Sequence, residues 1–235
     1  MQAVLETLQN IGIFIVFLAA RFAVLLVVLA VLTVIFLAGL AVVRLIERVR
    51  RHALGLTRVD GLMWRTGVYF SPGHSWLQPA DGSTLRVGLD DLAQHVLARI
   101  CEVILPEPGR LVRVGEPAAV IQCGKRRAAI PAPVTGRVVA INRRVVTNPA
   151  RVHNDPYAGG WLYTVQPEDA TYTRLPYGVE SRAWFSREAV RLSQFFEHQL
   201  GMAAADGGEL IAPGPSLLTS SQWDEMTQSF LQAPR

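Results

Sequence analysis

Apolar positions run almost without a break from Ile11 to Val43, and Arg21 is the one charged interruption. Phe22–Val43 carries no charge, and its Thr33 hydroxyl can bond back to its own helix. As a helix this stretch is long enough to cross a hydrocarbon core of about 30 Å. A globular helix of that length would keep a polar face, so residues 22–43 predict a transmembrane helix. A cleaved signal peptide would start basic and have a shorter apolar core; here Glu6 precedes Arg21, the first basic side chain. Residues 1–21 then read as an interfacial segment whose Arg21 snorkels to the head groups. The rival is one longer, tilted span with Arg21 paired to an acid inside a bundle.

Arg44, Arg48, Arg50 and Arg51 follow the span. An arginine excess on this flank predicts a single-pass protein of the cytoplasmic (inner) membrane, with its C-terminal domain in the cytoplasm. The lipid bilayer is thus one expected partner, its anionic leaflet facing the basic flank. Residues 44–67 comprise a basic juxtamembrane helix and, over Leu56–Gly67, a linker. From Val68 the period changes. Short alternating runs such as Thr84–Leu89, Ala118–Gln122, Arg137–Ile141 and Trp161–Val165 are bounded by Gly, Pro, Asn and Asp, the pattern of a β-rich domain. That domain spans residues 68–200. It includes a helical interlude at Asp90–Leu97 with an Asp cap. It closes on a helix at Ser186–Leu200, with Ser186 as cap and Ala189, Leu192, Phe196 and Leu200 as its apolar stripe. Residues 201–215 are a Gly/Pro-punctuated linker. Residues 216–235 hold a terminal amphipathic helix: Thr219 and Gln222 have capping-box spacing, Leu218 and Trp223 can staple it, and Trp223, Met226 and Phe230 share a face. Such a stripe suits docking, on the domain itself or on a partner.

Composition narrows the function. Lys and Arg together number 23 against 19 acidic residues, but the arginines are scattered without interleaved aromatics, so no nucleic-acid partner is expected. Cys101 and Cys123 are too few for a disulfide framework and suit a reducing compartment. His52, His74, His95, His153 and His198 lack ligand spacing, and no metal site is expected. No Ser/His/Asp grouping, phosphate-binding glycine loop or paired carboxylates stand out, so no catalytic residue is assigned.

A set of short motifs stands in a telling order. His74-Ser75-Trp76 comes first, then Asp91-Leu92-Ala93-Gln94, then Leu105-Pro106-Glu107-Pro108-Gly109. Lys125 follows, with Ala132-Pro133-Val134-Thr135-Gly136 after it. Asn148-Pro149 and Asn154-Asp155-Pro156-Tyr157-Ala158-Gly159-Gly160-Trp161-Leu162 come last. In this order and spacing, Tyr69 to Val165 resembles the glycine-cleavage H protein. The resemblance implies a mainly β fold, a lipoyl-domain-like barrel-sandwich hybrid with a few peripheral helices. It also implies a non-catalytic carrier whose lysine, here Lys125, holds lipoate in amide linkage and swings it between partner enzymes. The residues agree: Ala118–Gln122 and Ala128–Ile130 read as two strands joined through a turn that Gly124 permits, and Pro133 and Gly136 end the second.

Three departures bear on partners. Gln122 stands where the family has an acid three before the lysine, Arg126 and Arg127 stand where it has small residues, and its ordinary members are soluble. The departures favour protein partners in a membrane-associated complex, with an acidic docking face. Gln122, Arg126 and Arg127 also favour an alternative, an unmodified scaffold or accessory subunit of a respiratory-type complex, as does Arg21 if it lies within the membrane, and the terminal helix. Cys123 reads as a half-buried strand cysteine, with redox chemistry against a bound dithiolane as the rival reading. One count weighs for modification. Of the 23 basic residues only Lys125 is lysine. Arginine serves charge and ion pairing equally well, but its guanidinium cannot form the amide that a lysine amine can. The lone lysine falls eleven residues before Gly136, the spacing the resemblance requires.

Overall fold

A computed structural model describes residues 2–200 and 217–232. It divides into two compact units, Met1–His52 and Ala53–Arg235. The expected linker at 201–215 lies outside the described residues.

The first unit is the bulk of one helix, α1 (Gln2–Ala53), continuous through Arg21. Within its Ala20–Val49 portion the most apolar 18-residue stretch has a mean hydropathy of 3.1 and none of it is buried, so the helix is long and apolar enough to cross a membrane. The Thr33 hydroxyl donates to the Leu29 carbonyl at 2.8 Å, which hides its polarity within the helix. The Arg21 guanidinium lies 4.5 Å over the Phe17 ring.

The second unit is sheet-rich. It opens on a hairpin, β1 (Leu56–Val59) and β2 (Leu62–Arg65), joined by Asp60-Gly61. Both turn residues have positive φ, 48° and 83°, as a type I′ turn requires. Leu56–Gly67, expected to be a linker, is therefore folded: Leu62 and Trp64 are buried in the core.

The remaining strands are β3 (Tyr69–Phe70), β4 (Ser75–Pro79), β5 (Leu85–Leu89), β6 (Glu102–Ile104), β7 (Leu111–Val112), β8 (Pro117–Cys123), β9 (Arg126–Pro131), β10 (Gly136–Ile141) and β11 (Tyr163–Pro167). One sheet runs β3-β4-β5-β11-β10-β7 and a second β6-β8-β9. A parallel bridge, Val114 to Ala132, touches both strand systems. Alternation sets the faces: in β5, Leu85 and Val87 point inward with Arg86 between them only partly buried.

Helices pack around these sheets: α2 (Asp91–Leu97), α3 (Arg143–Thr147), α4 (Ala150–Asn154), α5 (Gly178–Leu200) and α6 (Ser220–Leu231). Asp90 caps α2, accepting the Ala93 N–H at 2.9 Å. Helix α5 starts eight residues before the expected Ser186. Ser181 and Phe185 extend the buried stripe of Ala189, Leu192 and Phe196 backwards, Ser181 accepts the Trp64 indole N–H at 3.2 Å, and Ser186 instead donates to Asp60. Helix α6 has the expected capping box at Thr219 and Gln222. Its Trp223, Met226, Phe230 and Leu231 are buried against the same body, so its apolar face docks within the domain.

The H-protein-like motifs are mostly packing. Trp76 is fully buried and its indole N–H donates to the carbonyls of Leu89 at 3.0 Å and Pro156 at 3.1 Å. Gly88 leaves room for it; a Cβ there would lie 2.4 Å from the indole ring. After α4, Asp155–Gly160 is a turn, with the Asp155 carboxylate accepting the Gly159 N–H at 2.8 Å. His74 is completely buried. Its Nδ1 lies 2.8 Å from Asp90 Oδ2 and its Nε2 lies 3.5 Å from Glu188 Oε2. Burial alone would lower its pKa, but the charge and hydrogen bond of Asp90, with help from Glu188, outweigh this and raise it to about 9. His74 is thus a buried cation between two carboxylates at neutral pH.

Candidate functional site

Lys125 stands at the tip of the β8–β9 hairpin. Cys123 pairs with Arg126, so Gly124 and Lys125 alone make the turn. Gly124 has φ +63° and Lys125 does not have positive φ, the signs of a type II′ turn, whose first central residue is normally glycine. Tight closure projects the lysine outward; Lys125 and Gly124 are exposed. The strands are longer than the sequence suggested because the hairpin register runs to the last pair before the turn.

The root of the hairpin is held from two sides. On the β6 side Glu102 pairs with Gln122, and the Gln122 amide donates to the Glu102 carboxylate at 2.6 Å. A carboxylate therefore stands across the strand from Gln122, the position at which the resemblance called for an acid. One register step further, Cys101 and Cys123 form a disulfide with a Cα–Cα distance of 4.8 Å. Two cysteines too few for a disulfide framework, and read as suiting a reducing compartment, are thus paired with each other. The 21 residues between them conceal that they sit one step beyond the Glu102–Gln122 strand pair. On the other side α6 packs on α2 and β9. The Arg126 guanidinium donates to the Leu218 carbonyl at 2.8 Å and lies 5.5 Å over the Trp223 ring. Arg127 stays exposed beside the tip.

Between α2, β8 and α6 lies a cleft of about 160 Å³, lined by Leu97, Arg99, Ile121, Cys123, Arg126 and Trp223. Its wall includes Gln122, Cys123 and Arg126 at the root of the hairpin. Sequence reasoning located Lys125 but missed Glu102, the disulfide and the Leu218–Trp223 support. Each depends on a cross-strand or long-range contact with no local signal. Among the described residues no group of three His, Cys, Asp or Glu side chains converges as a metal site.

A sheet-rich body that fixes the root of a two-residue turn and leaves its lone lysine exposed is a domain built to present that side chain. Comparison with known proteins specifies the kind. The family model described as Glycine cleavage H-protein matches residues 68–176. The glycine cleavage system H protein of Psychrobacter sp. (strain PRwf-1) is 40% identical over 97 residues, covering 41% of this chain and 77% of that protein. The same protein of Thermus thermophilus is 39% identical over 101 residues, 43% of this chain and 78% of that one. A crystal structure of a glycine cleavage system H protein from Mycobacterium marinum aligns with TM-score 0.45 and 27% identity, covering 53% of this chain and 99% of that one. The chain belongs to the glycine cleavage H-protein family, whose members are non-catalytic carriers bearing a lipoyl group on lysine. Residues 1–67 and 177–235, with α1, the first hairpin, α5 and α6, lie outside the matched region.

Proposed function

We propose that this chain is a membrane-anchored lipoyl carrier, with lipoate in amide linkage on Lys125. One observation carries the reading: the only lysine of the chain occupies an exposed two-residue turn at the family's carrier position. The residues fit the group. The amine has no hydrogen-bond or ion-pair partner among the described residues, and the Gly124 turn leaves it open to an acylating enzyme. Glu102 supplies the negative charge that Gln122 lacks. The bound group would supply a dithiolane for redox or transfer chemistry at a partner.

The apolar helix supports anchoring, with the body in the cytoplasm because the arginines flank its C-terminal side. Confinement to the bilayer raises the effective concentration for a membrane-associated partner. Arg127, exposed beside the tip, suits a partner with an acidic docking face. The test is the intact mass of the native protein purified in detergent, together with Lys125→Arg in the host. A lipoyl mass increment on Lys125, and loss of function in the variant with an unchanged fold, are expected. An unmodified mass with a fully active variant refutes the carrier reading and leaves an unmodified scaffold.

A further inference from the structure

The Cys101–Cys123 disulfide that fastens the root of the arm is also placed where chemistry can reach it. Cys101 is exposed and Cys123 half-buried, so attack on the Cys101 sulfur is open from solvent. The pair belongs to a domain read as cytoplasmic. There paired cysteines are usually transient redox groups rather than permanent staples. Cys123 is two residues from Lys125, so their Cα atoms are at most about 7 Å apart, and Cys101 is a further 4.8 Å away, Cα to Cα. A lysine extended by an eight-carbon acyl chain reaches about 15 Å, from a dozen bonds projecting roughly 1.25 Å each. The arm can therefore fold back over its own hairpin. The cleft beside Cys123 has Leu97, Ile121 and Trp223 to seat an apolar chain, and Arg99 and Arg126 to favour a departing thiolate. Trp223 belongs to α6, which lies outside the family match.

Resting on the carrier reading, we propose that the Cys101–Cys123 pair is a redox site that exchanges two electrons with the dithiolane borne by Lys125. The cysteine pair is reduced as the arm is oxidised. Cys101 Sγ forms a bond to one arm sulfur, the Cys101–Cys123 bond breaks, and Cys123 leaves as the thiolate. The second arm thiol then displaces Cys101. Two arm thiols become one ring disulfide, one cysteine disulfide becomes two thiols, and two electrons and two protons pass from arm to pair. Run backwards, the cysteine thiols recharge the arm. The exposed Cys101 gives this carrier a second outlet for electrons, without the lysine having to enter a partner's active site.

The experiment uses the full chain in detergent with its cysteine pair oxidised, after intact mass has established whether Lys125 is lipoylated. NADH and a lipoamide dehydrogenase reduce the arm without oxygen, the sample is quenched in acid, and alkylation of Cys101 and Cys123 is counted by peptide mass. The lipoylated chain is expected to expose both thiols roughly a hundredfold faster than Lys125→Arg under the same conditions, reflecting the tethered concentration of the arm. Equal rates in the two chains, or a lipoylated chain whose pair stays oxidised, overturn the redox site and leave the carrier reading intact. An unmodified chain overturns the carrier reading and this inference with it.

Discussion

Raising the pH from 7 to 9.5 is expected to weaken the sheet-rich unit through His74. Its folded pKa is raised to about 9 from an ordinary 6.5. A raised histidine contributes stability that is complete below pH 6.5 and is lost as the pH climbs through 9, since above that both folded and unfolded states hold it neutral. The difference of about 2.5 pKa units corresponds to about 3 kcal/mol in full, at 1.36 kcal/mol per unit. Roughly 2 kcal/mol of that falls between pH 7 and 9.5, and a unit of this size should lose about 4–8 °C in Tm. Asp90→Asn isolates the cause. Asp90 uses Oδ1 to cap α2 and Oδ2 to hold His74, and asparagine keeps a carbonyl oxygen for the cap while removing the charge. In this variant burial prevails, His74 stays neutral, and less than half of the pH dependence should remain. The assay is thermal or denaturant unfolding of the full chain in detergent, followed by near-UV circular dichroism at several pH values. A wild-type midpoint flat from pH 7 to 9.5, or the same slope in both proteins, would refute the assignment of a buried cation.

Three further outcomes are expected. Gly88→Ala should destabilise strongly, because its Cβ would sit 2.4 Å from the Trp76 ring; a denaturation midpoint equal to wild type would show that the indole can move. Trp223→Ala should cost about 3–5 kcal/mol as a buried aromatic truncation, and deletion of 216–235 more, with hydrogen exchange rising in β9; unchanged exchange there would mean that α6 does not support the hairpin. In whole cells, Asp81→Cys in a chain whose native cysteines are serine should resist a membrane-impermeant thiol reagent; ready labelling overturns the cytoplasmic placement.

What was legible in the sequence was local. The apolar run is contiguous, and the Asp cap of α2, the capping box of α6 and the glycine turn before Lys125 each depend on residues within four positions of one another. The β1–β2 hairpin was also local, since Asp60-Gly61 between Val59 and Leu62 is a strong turn signal; it was missed because four-residue strands beside a long apolar helix look like a linker. The start of α5 was hidden for another reason. Glu180, Arg182 and Arg187 dilute the stripe, and only the buried partners of Ser181 and Phe185 reveal that the helix begins at Gly178. The pairings of Cys101 with Cys123, of Glu102 with Gln122 and of Arg126 with Leu218 are set by strand register and by a helix 92 residues away. No local pattern encodes them.

Those long-range contacts all meet at one place and bear on how a carrier arm works. An arm that swings needs a free end and a fixed root. If the root also moved, part of the tether's length would be spent on hairpin motion and the end would search a larger volume at lower effective concentration. Here the tip holds only Gly124 and Lys125, both exposed, while the last strand pair beneath it is fastened on both sides. Cys123 is tied across to β6, and its partner Arg126 is tied to the loop before α6 and covered by Trp223. The second fastening comes from a helix outside the family match, so it belongs to this chain's own additions. The arginine that departs from the family's small residue is accounted for by the same contact: Arg126 is large and charged because it reaches the Leu218 carbonyl and the Trp223 ring. Arg127 makes no such contact with α6 and remains exposed, so it is the residue left to address a partner.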